Sequence, residues 1–269
     1  MRELGFIGDT HFENEDLRCK LLNYQNMDFI HVGDFNLGCK PFYDEEKWLN
    51  ILNNTLIETN SMMYIIVGNH DDPNYFTNDL EQLKEYFKTK KYNCFNYKNF
   101  SGDEYRKDPI EYAEYIFNLS NIKIVPNYTV LDLCDKKILC VGGAISINRL
   151  EYIKHGWENI KYYKNENFYY DYNKIANLRD IDIVVTHSSP NFCEPTAFND
   201  IVYHYYNSGD LNLLKDLDHE RHDIKLMHDV LISNNDIKHW FNGHFHNPYS
   251  QMIGNILFKT VGILEIIKL

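Results

Sequence analysis

The chain has 269 residues, 44% of them hydrophobic, which fits one large domain or two small ones and is ample for a buried core. Its 27 Lys and Arg against 39 Asp and Glu leave a formal charge of -12, a balance ill suited to wrapping duplex nucleic acid, whose affinity comes largely from phosphate neutralisation. No stretch approaches the roughly 20 apolar residues of a membrane span, and the N-terminus meets a charge at Asp9 too early for a signal peptide. Cys19, Cys39, Cys94, Cys134, Cys140 and Cys193 form no C-x-x-C pair and read as reduced thiols. A cytoplasmic location with no membrane partner is expected.

In chain order, short continuous β-branched runs recur at Leu4–Ile7, Phe29–Val32, Met62–Val67, Ile122–Val125, Val130–Leu133, Ile138–Val141, Ile181–Val185, Ile237–Phe241, Ile256–Phe258 and Ile263–Ile267. They suit strands buried on both faces of a sheet. Between them, Tyr43–Thr59 carries Trp48, Ile51, Leu52 and Leu56 at helical spacing. Asp79–Phe87 is a shorter helix candidate, and Asp216–Ile232 aligns Leu217, Ile224, Met227 and Leu231. Strand–helix–strand at the start predicts a parallel sheet; the strands clustered after residues 120 and 236 predict antiparallel pieces. The fold class is α/β with mixed sheets covered by helices, taken as a single domain over residues 1–269 with loops inserted near 88–120 and 148–177.

The informative residues come directly after the strands. "GDTH" after the first run supplies Asp9 and His11, "GDFN" after the second supplies Asp34, and "GNHDD" after the third supplies Asn69, His70 and Asp71. Later, "THSSP" brings His187 and "NGHFH" brings His244 and His246. Ligands bind outside the carboxyl ends of strands in open α/β sheets, so these clusters are placed to meet in one cleft. Each alone is ordinary turn chemistry. Together they form a set of carboxylates, an amide and imidazoles without a thiolate, suited to borderline-hard divalent ions.

The order D-x-H, G-D, G-N-H-D, a lone His and G-H-x-H, spread from Asp9 to His246, resembles the calcineurin-like metallophosphoesterase superfamily. The resemblance implies a four-layer α/β/β/α sandwich and two divalent metal ions, Mn2+ foremost, with Fe, Zn, Ni and Mg as alternatives. It implies that Asp9, His11 and His246 hold one ion and Asn69, His187 and His244 the other, with Asp34 bridging. The chemistry is coherent without the family. Two cations about 3.5–4 Å apart acidify a water and clamp the phosphoryl oxygens during in-line attack. His70 is placed to stabilise a phosphoryl oxygen or protonate the leaving alkoxide. The expected activity is hydrolysis of a phosphomonoester or a small, nucleotide-like phosphodiester. A DNA or RNA nuclease of the same fold and a non-catalytic metal-binding scaffold are the alternatives; the scaffold would be expected to have lost ligands that this chain keeps.

Departures from the family pattern narrow the reading. Protein phosphatases of the superfamily carry G-D-x-V-D-R-G where this chain has "GDFNLG". Leu37 therefore stands where their His-orienting Asp would be, and Asp71 or a backbone group is left to orient His70. Arg149, in "VGGAISINR", either reaches a substrate phosphate through its guanidinium fork or is a surface arginine pairing with an acid. Lys84–Lys107, with seven basic and three acidic residues among seven aromatics, reads as a helix and an irregular loop, with base stacking as the alternative. The aromatic-rich segments 150–173 and 197–210 are expected to be pocket-shaping loops. Asp218–Asp229 reads as the solvated face of an amphipathic helix rather than a metal site.

Overall fold

The structure is a computed structural model that describes residues 2–38, 42–89, 108–154 and 170–269. Two mixed sheets face each other between helices. The first has the order β11-β1-β2-β3-β4, built from β1 (Glu3–Ile7), β2 (Met27–His31), β3 (Met62–Ile65), β4 (Ile122–Ile124) and β11 (Ile266–Lys268). Its first four strands run parallel and β11 pairs antiparallel with β1. The second has the order β5-β6-β7-β8-β10-β9, from β5 (Thr129–Leu133), β6 (Lys136–Val141), β7 (Ile183–Thr186), β8 (His239–Asn242), β9 (Tyr249–Ile253) and β10 (Ile256–Thr260). Here β6, β7, β8 and β10 are parallel, and hairpins place β5 and β9 antiparallel at the edges.

The strands bury both faces, and their side chains divide with the period of two that a pleated backbone imposes. On β2, Met27 and Phe29 face helices while Ile30 faces the other sheet. On β6, Ile138 and Cys140 enter the space between sheets while Leu139 and Val141 point outward. The result is three layers of core. Helices α1 (Asn14–Leu21), α2 (Phe42–Glu58), α3 (Leu80–Thr89) and α4 (Pro109–Phe117) cover the first sheet through Leu17, Leu52, Leu83, Tyr112 and their neighbours. The sheets meet through Phe6, Ile30, Val32, Ile183, Val185 and Phe241. The outer face of the second sheet packs on α6 (Tyr172–Ile175) and α8 (Leu213–Ile232) through Ile175, Ile224, Met227 and Trp240. This is the expected α/β/β/α sandwich.

Several details differ from the sequence-based expectation. Part of the loop expected over 88–120 is α4, capped by the Asp108 carboxylate on the N–H groups of Ile110 and Glu111. The aromatic segment 197–210 holds α7 (Asp200–Asn207), capped by Asn199 on the Val202 N–H. Residues Arg149–Lys154 form the short helix α5. Strand β9 and helix α1 carry too few apolar residues to stand out as runs. Residues 90–107 and 155–169, which hold most of the basic aromatic stretch and of the 150–173 segment, lie outside the described residues. No described helix is long and apolar enough to cross a membrane.

The rings of Phe6 and Phe241 stack across the two sheets with centroids 3.7 Å apart. Phe241→Ala is expected to lower the unfolding free energy by about 3–5 kcal/mol, as a large-to-small change in a closed core does. Urea unfolding with an unchanged m-value would check this.

Candidate active site

Every strand-end cluster lies at the carboxyl end of a parallel strand: Asp9 and His11 after β1, Asp34 after β2, Asn69 and His70 after β3, His187 after β7, and His244 and His246 after β8. Parallel strands present these ends on one side, so segments from both sheets converge. The backbone closes around them. The N–H groups of Thr10 and His11 donate to the Asp34 carbonyl, the His70 N–H donates to Asp34 Oδ1 at 2.7 Å, and the His244 N–H donates to Asp9 Oδ2 at 3.1 Å.

Two glycines make the approach possible. A Cβ on Gly68 would stand 2.2 Å from Asp34 Oδ1, and one on Gly243 would stand 2.2 Å from Asp9 Oδ1. The residues beside them take left-handed backbone, with φ of 45° at His11, 56° at Asp34, 68° at His244 and 63° at His246. That region is sparsely populated for non-glycine residues and characteristic of functional turns.

Two groups of side chains offer ligand atoms all within 4.8 Å of one another: Asp9, His11, Asp34 and His246, and Asp34, His187 and His244. Asp34 belongs to both. In the first, His11 Nε2 lies 2.8 Å from His246 Nε2, and His246 Nε2 lies 3.3 Å from Asp9 Oδ2. In the second, His187 Nδ1 lies 2.7 Å from the Val32 carbonyl. A carbonyl only accepts, so Nδ1 carries the hydrogen and Nε2 is the lone-pair nitrogen of the neutral ring. That Nε2 lies 3.0 Å from Asn69 Oδ1 and 3.3 Å from Asp34 Oδ1. The Asn69 amide is set the same way, because its Nδ2 donates to Ser146 Oγ at 2.8 Å and leaves Oδ1 facing the cluster.

Acceptors thus face acceptors, and Asp34 Oδ2 is buried with no hydrogen-bond partner. Such an arrangement needs positive charge between the lone pairs, supplied by a proton or by a cation. The hard carboxylate and amide oxygens with neutral imidazoles fit a divalent ion.

Without an ion, protons fill the role. Burial alone would push His187 down, but the Asp34 carboxylate beside it outweighs burial and raises it to about 10. Burial opposes ionisation of Asp9 and Asp34 as well. The His11 and His246 imidazoles nevertheless hold Asp9 at about 2, and His187 with His70 keeps Asp34 well below the usual carboxylate range. Burial pushes His244 down to about 3, aided by the positive charge on His187, and burial also lowers His70.

The remaining expectations divide. His70 stands beside the cluster, its ring 5.3 Å from that of His11. The two carboxylate oxygens of Asp71 accept the N–H groups of Leu37 at 2.9 Å and Gly68 at 2.8 Å. Asp71 ties the Asp34 loop to the Asn69 loop, and burial together with Asp34 raises it to about 7. Arg149 pairs with acids, but inside the protein rather than on its surface. It is buried, its guanidinium held by Asp210 at 2.8 Å and Asp216 at 2.7 Å, and it does not line the cavity beside the cluster.

That cavity, of about 750 Å³, joins Asp34, Asn69, His70, His244 and His246 to residues of α7, α8 and the 194–199 segment. Ser146, Glu220 and Arg221 were not singled out from sequence. Glu220 and Arg221 follow Leu217 by three and four residues and precede Ile224 by four and three, which puts them on the buried stripe of α8 rather than on its solvated face.

The acid-and-imidazole cluster at the strand ends of this two-sheet α/β sandwich is a candidate site for divalent ions. A family profile described as calcineurin-like phosphoesterase matches residues 3–248, and the chain belongs to that family. No curated protein matches the chain. Among solved structures it is similar to phosphopantetheinyl hydrolase (PptH) from Mycobacterium tuberculosis, at 10% identity and a TM-score of 0.47, over 100% of this chain and 95% of that one. It is also similar to a putative 5'-nucleotidase from Staphylococcus aureus, at 10% identity and a TM-score of 0.44, over 98% of this chain and 50% of the other. A third likeness is to an archaeal phosphodiesterase, at 14% identity and a TM-score of 0.37, over 97% and 84% of the two chains. At this distance the likenesses carry nothing about substrate.

Because His187 in the metal-free protein holds a proton up to about pH 10, an ion binding its Nε2 must displace that proton. Affinity therefore weakens as pH falls and strengthens as pH rises toward 10. Calorimetric titration of Mn2+ in buffers of different ionisation enthalpy is expected to show proton release at pH 7, with affinity rising about tenfold per pH unit for one displaced proton. A pH-independent affinity without proton release would contradict this placement of His187.

Proposed function

We propose that the chain is a dinuclear-metal phosphoesterase, acting on a phosphomonoester or a small phosphodiester such as a nucleotide. The observation that carries the reading is Asp34, common to both ligand groups and holding a buried oxygen without a hydrogen-bond partner. Asp9, His11 and His246 would hold one ion, Asn69, His187 and His244 the other, with Asp34 shared; Mn2+ is the ion of choice. Divalent ions there supply Lewis acidity, easing deprotonation of a water and neutralising charge on the phosphoryl oxygens.

The chain's own groups do the rest. Asp71 fixes the separation of the two loops that carry Asp34 and Asn69, through the Leu37 and Gly68 N–H groups. Ser146 keeps the Asn69 amide oxygen, a neutral donor that limits negative charge, turned toward the cluster. His70 offers a ring N–H to the departing oxygen, and its burial favours the neutral ring that can still donate one hydrogen. Asp9, Asp34, Asn69 and His187 are buried, where electrostatic contacts are stronger than in water. The expected location is the cytoplasm.

Stripping the protein with chelator is expected to abolish hydrolysis of p-nitrophenyl phosphate or its bis ester, and Mn2+ to restore it. Failure of every divalent ion to restore turnover would sink the reading. His70→Ala is expected to lower kcat by about 10²–10⁴ with metal content unchanged by elemental analysis. Wild-type turnover in that variant would remove His70 from the mechanism.

A further inference from the structure

Helix α7 is packed apart from the three large cores. Val202 meets Leu213 and Leu217 of α8 and Ile145 in a small cluster of its own, joined by Ile147, Phe198 and Tyr205. Several of these side chains, Ile147, Phe198, Val202, Tyr205 and Leu217, also line the cavity that opens on Asp34 and His70. An apolar wall therefore stands within one cavity's reach of the reacting centre.

The charges in the lining are as informative. Among the described residues, Arg221 is the only Lys or Arg there, and its guanidinium is committed to the main chain. Its Nε donates to the Ser189 carbonyl, its Nη1 to that of Pro195, and its Nη2 to those of Pro190 and Cys193. Two carboxylates, Glu194 and Glu220, complete the charged lining outside the cluster. Glu220 is buried, and its Oε2 accepts the Ile145 N–H at 2.5 Å. Burial raises Glu220 to about 7, so the apolar wall matters more than its charge: a second anionic group set against Ile147, Phe198, Val202 and Leu217 would lose its hydration and find no available Lys or Arg among the described lining residues.

We propose that this cavity seats the alcohol portion of the substrate, and that this portion is uncharged and largely apolar: an aryl or alkyl group carrying a single phosphoryl group, rather than a polyphosphate or a polynucleotide. This rests on the phosphoesterase reading above for the position of the phosphoryl group at the cluster. Phe198 and Val202 supply the apolar contact, and no Lys or Arg among the described lining residues is available to a further phosphate. Ile201, 57% exposed and part of the lining, marks where charge can be added without disturbing a core.

The test is calorimetric titration of the Mn2+-loaded full chain with four non-hydrolysable probes: methylphosphonate, benzylphosphonate, 4-carboxybenzylphosphonate and 4-carbamoylbenzylphosphonate. Benzylphosphonate is expected to bind about tenfold more tightly than methylphosphonate, the effect of burying a ring. It should also bind about tenfold more tightly than the carboxybenzyl probe, which adds a negatively charged carboxylate to the ring, and by much less than that over the uncharged 4-carbamoyl counterpart. Phe198→Ala should shrink the first difference, and Ile201→Lys the second. Equal binding of methyl and benzyl probes, binding of the carboxybenzyl probe as tight as that of benzyl, or no binding of any of them would overturn the proposal. Hydrolysis of phenyl phosphate, measured in parallel, separates the two readings. No hydrolysis with the phosphonate order intact removes the phosphoesterase reading and keeps the cavity assignment. Hydrolysis with the order reversed does the opposite.

Discussion

A carboxylate cannot sit buried among lone pairs unless something positive stands beside it. Asp34 sits in that position, with the Gly68 Cα behind it, His187 Nε2 at 3.3 Å and one oxygen without a hydrogen-bond partner. Much else in the molecule serves to hold it there. The first sheet brings Asp34 and Asn69 together just after β2 and β3, and the second brings His187 and His244 just after β7 and β8. The core between the sheets, with Phe6 stacked on Phe241, fixes how far apart the two sets stand. His187 crosses that gap, coming from the second sheet and donating its Nδ1 hydrogen to Val32 on the first.

This construction has two levels of rigidity. The turns that carry the cluster are tied by main-chain hydrogen bonds and by Asp71, which accepts from both the Leu37 and Gly68 loops. The wall of the adjoining cavity rests on the smaller cluster of α7 with the start of α8, whose members belong to none of the three large cores. Chemistry is thus built on the sheets, and whatever the cavity accepts is shaped by an appended helix. Such a division lets the wall change while the cluster keeps its geometry, as when different sites are grafted on one fold.

The strands were legible because burial on both faces leaves continuous apolar runs, and the site was legible because a glycine and a polar group come after so many of them. The features that were not legible depend on partners distant in the chain. Strand β9, from Tyr249 to Ile253, is an edge strand with mostly exposed side chains and so has no apolar run to betray it. Arg149 stands between two roles in the sequence because Asp210, 61 residues away, cannot be assigned to it there. Asp71 looked like a partner for its neighbour His70, whereas its oxygens are claimed by Leu37, 34 residues earlier, and by Gly68. Glu220 and Arg221 could have been found, since helical periodicity places them in line with Leu217 and Ile224, but a charged run draws the eye to solvent. Ser146 gave no signal at all; a serine after a strand is commonplace until an amide 77 residues away is seen to need an acceptor.

The left-handed backbone at His11, Asp34, His244 and His246 sets a conflict between folding and function. Each such residue costs on the order of 1–3 kcal/mol relative to a relaxed conformation, and glycine would adopt the same angles without that penalty. Replacing any of the four by glycine would therefore relieve strain while deleting a side chain from the cluster. The sequence carries that strain at four positions in return for side chains aimed at one another in the cluster.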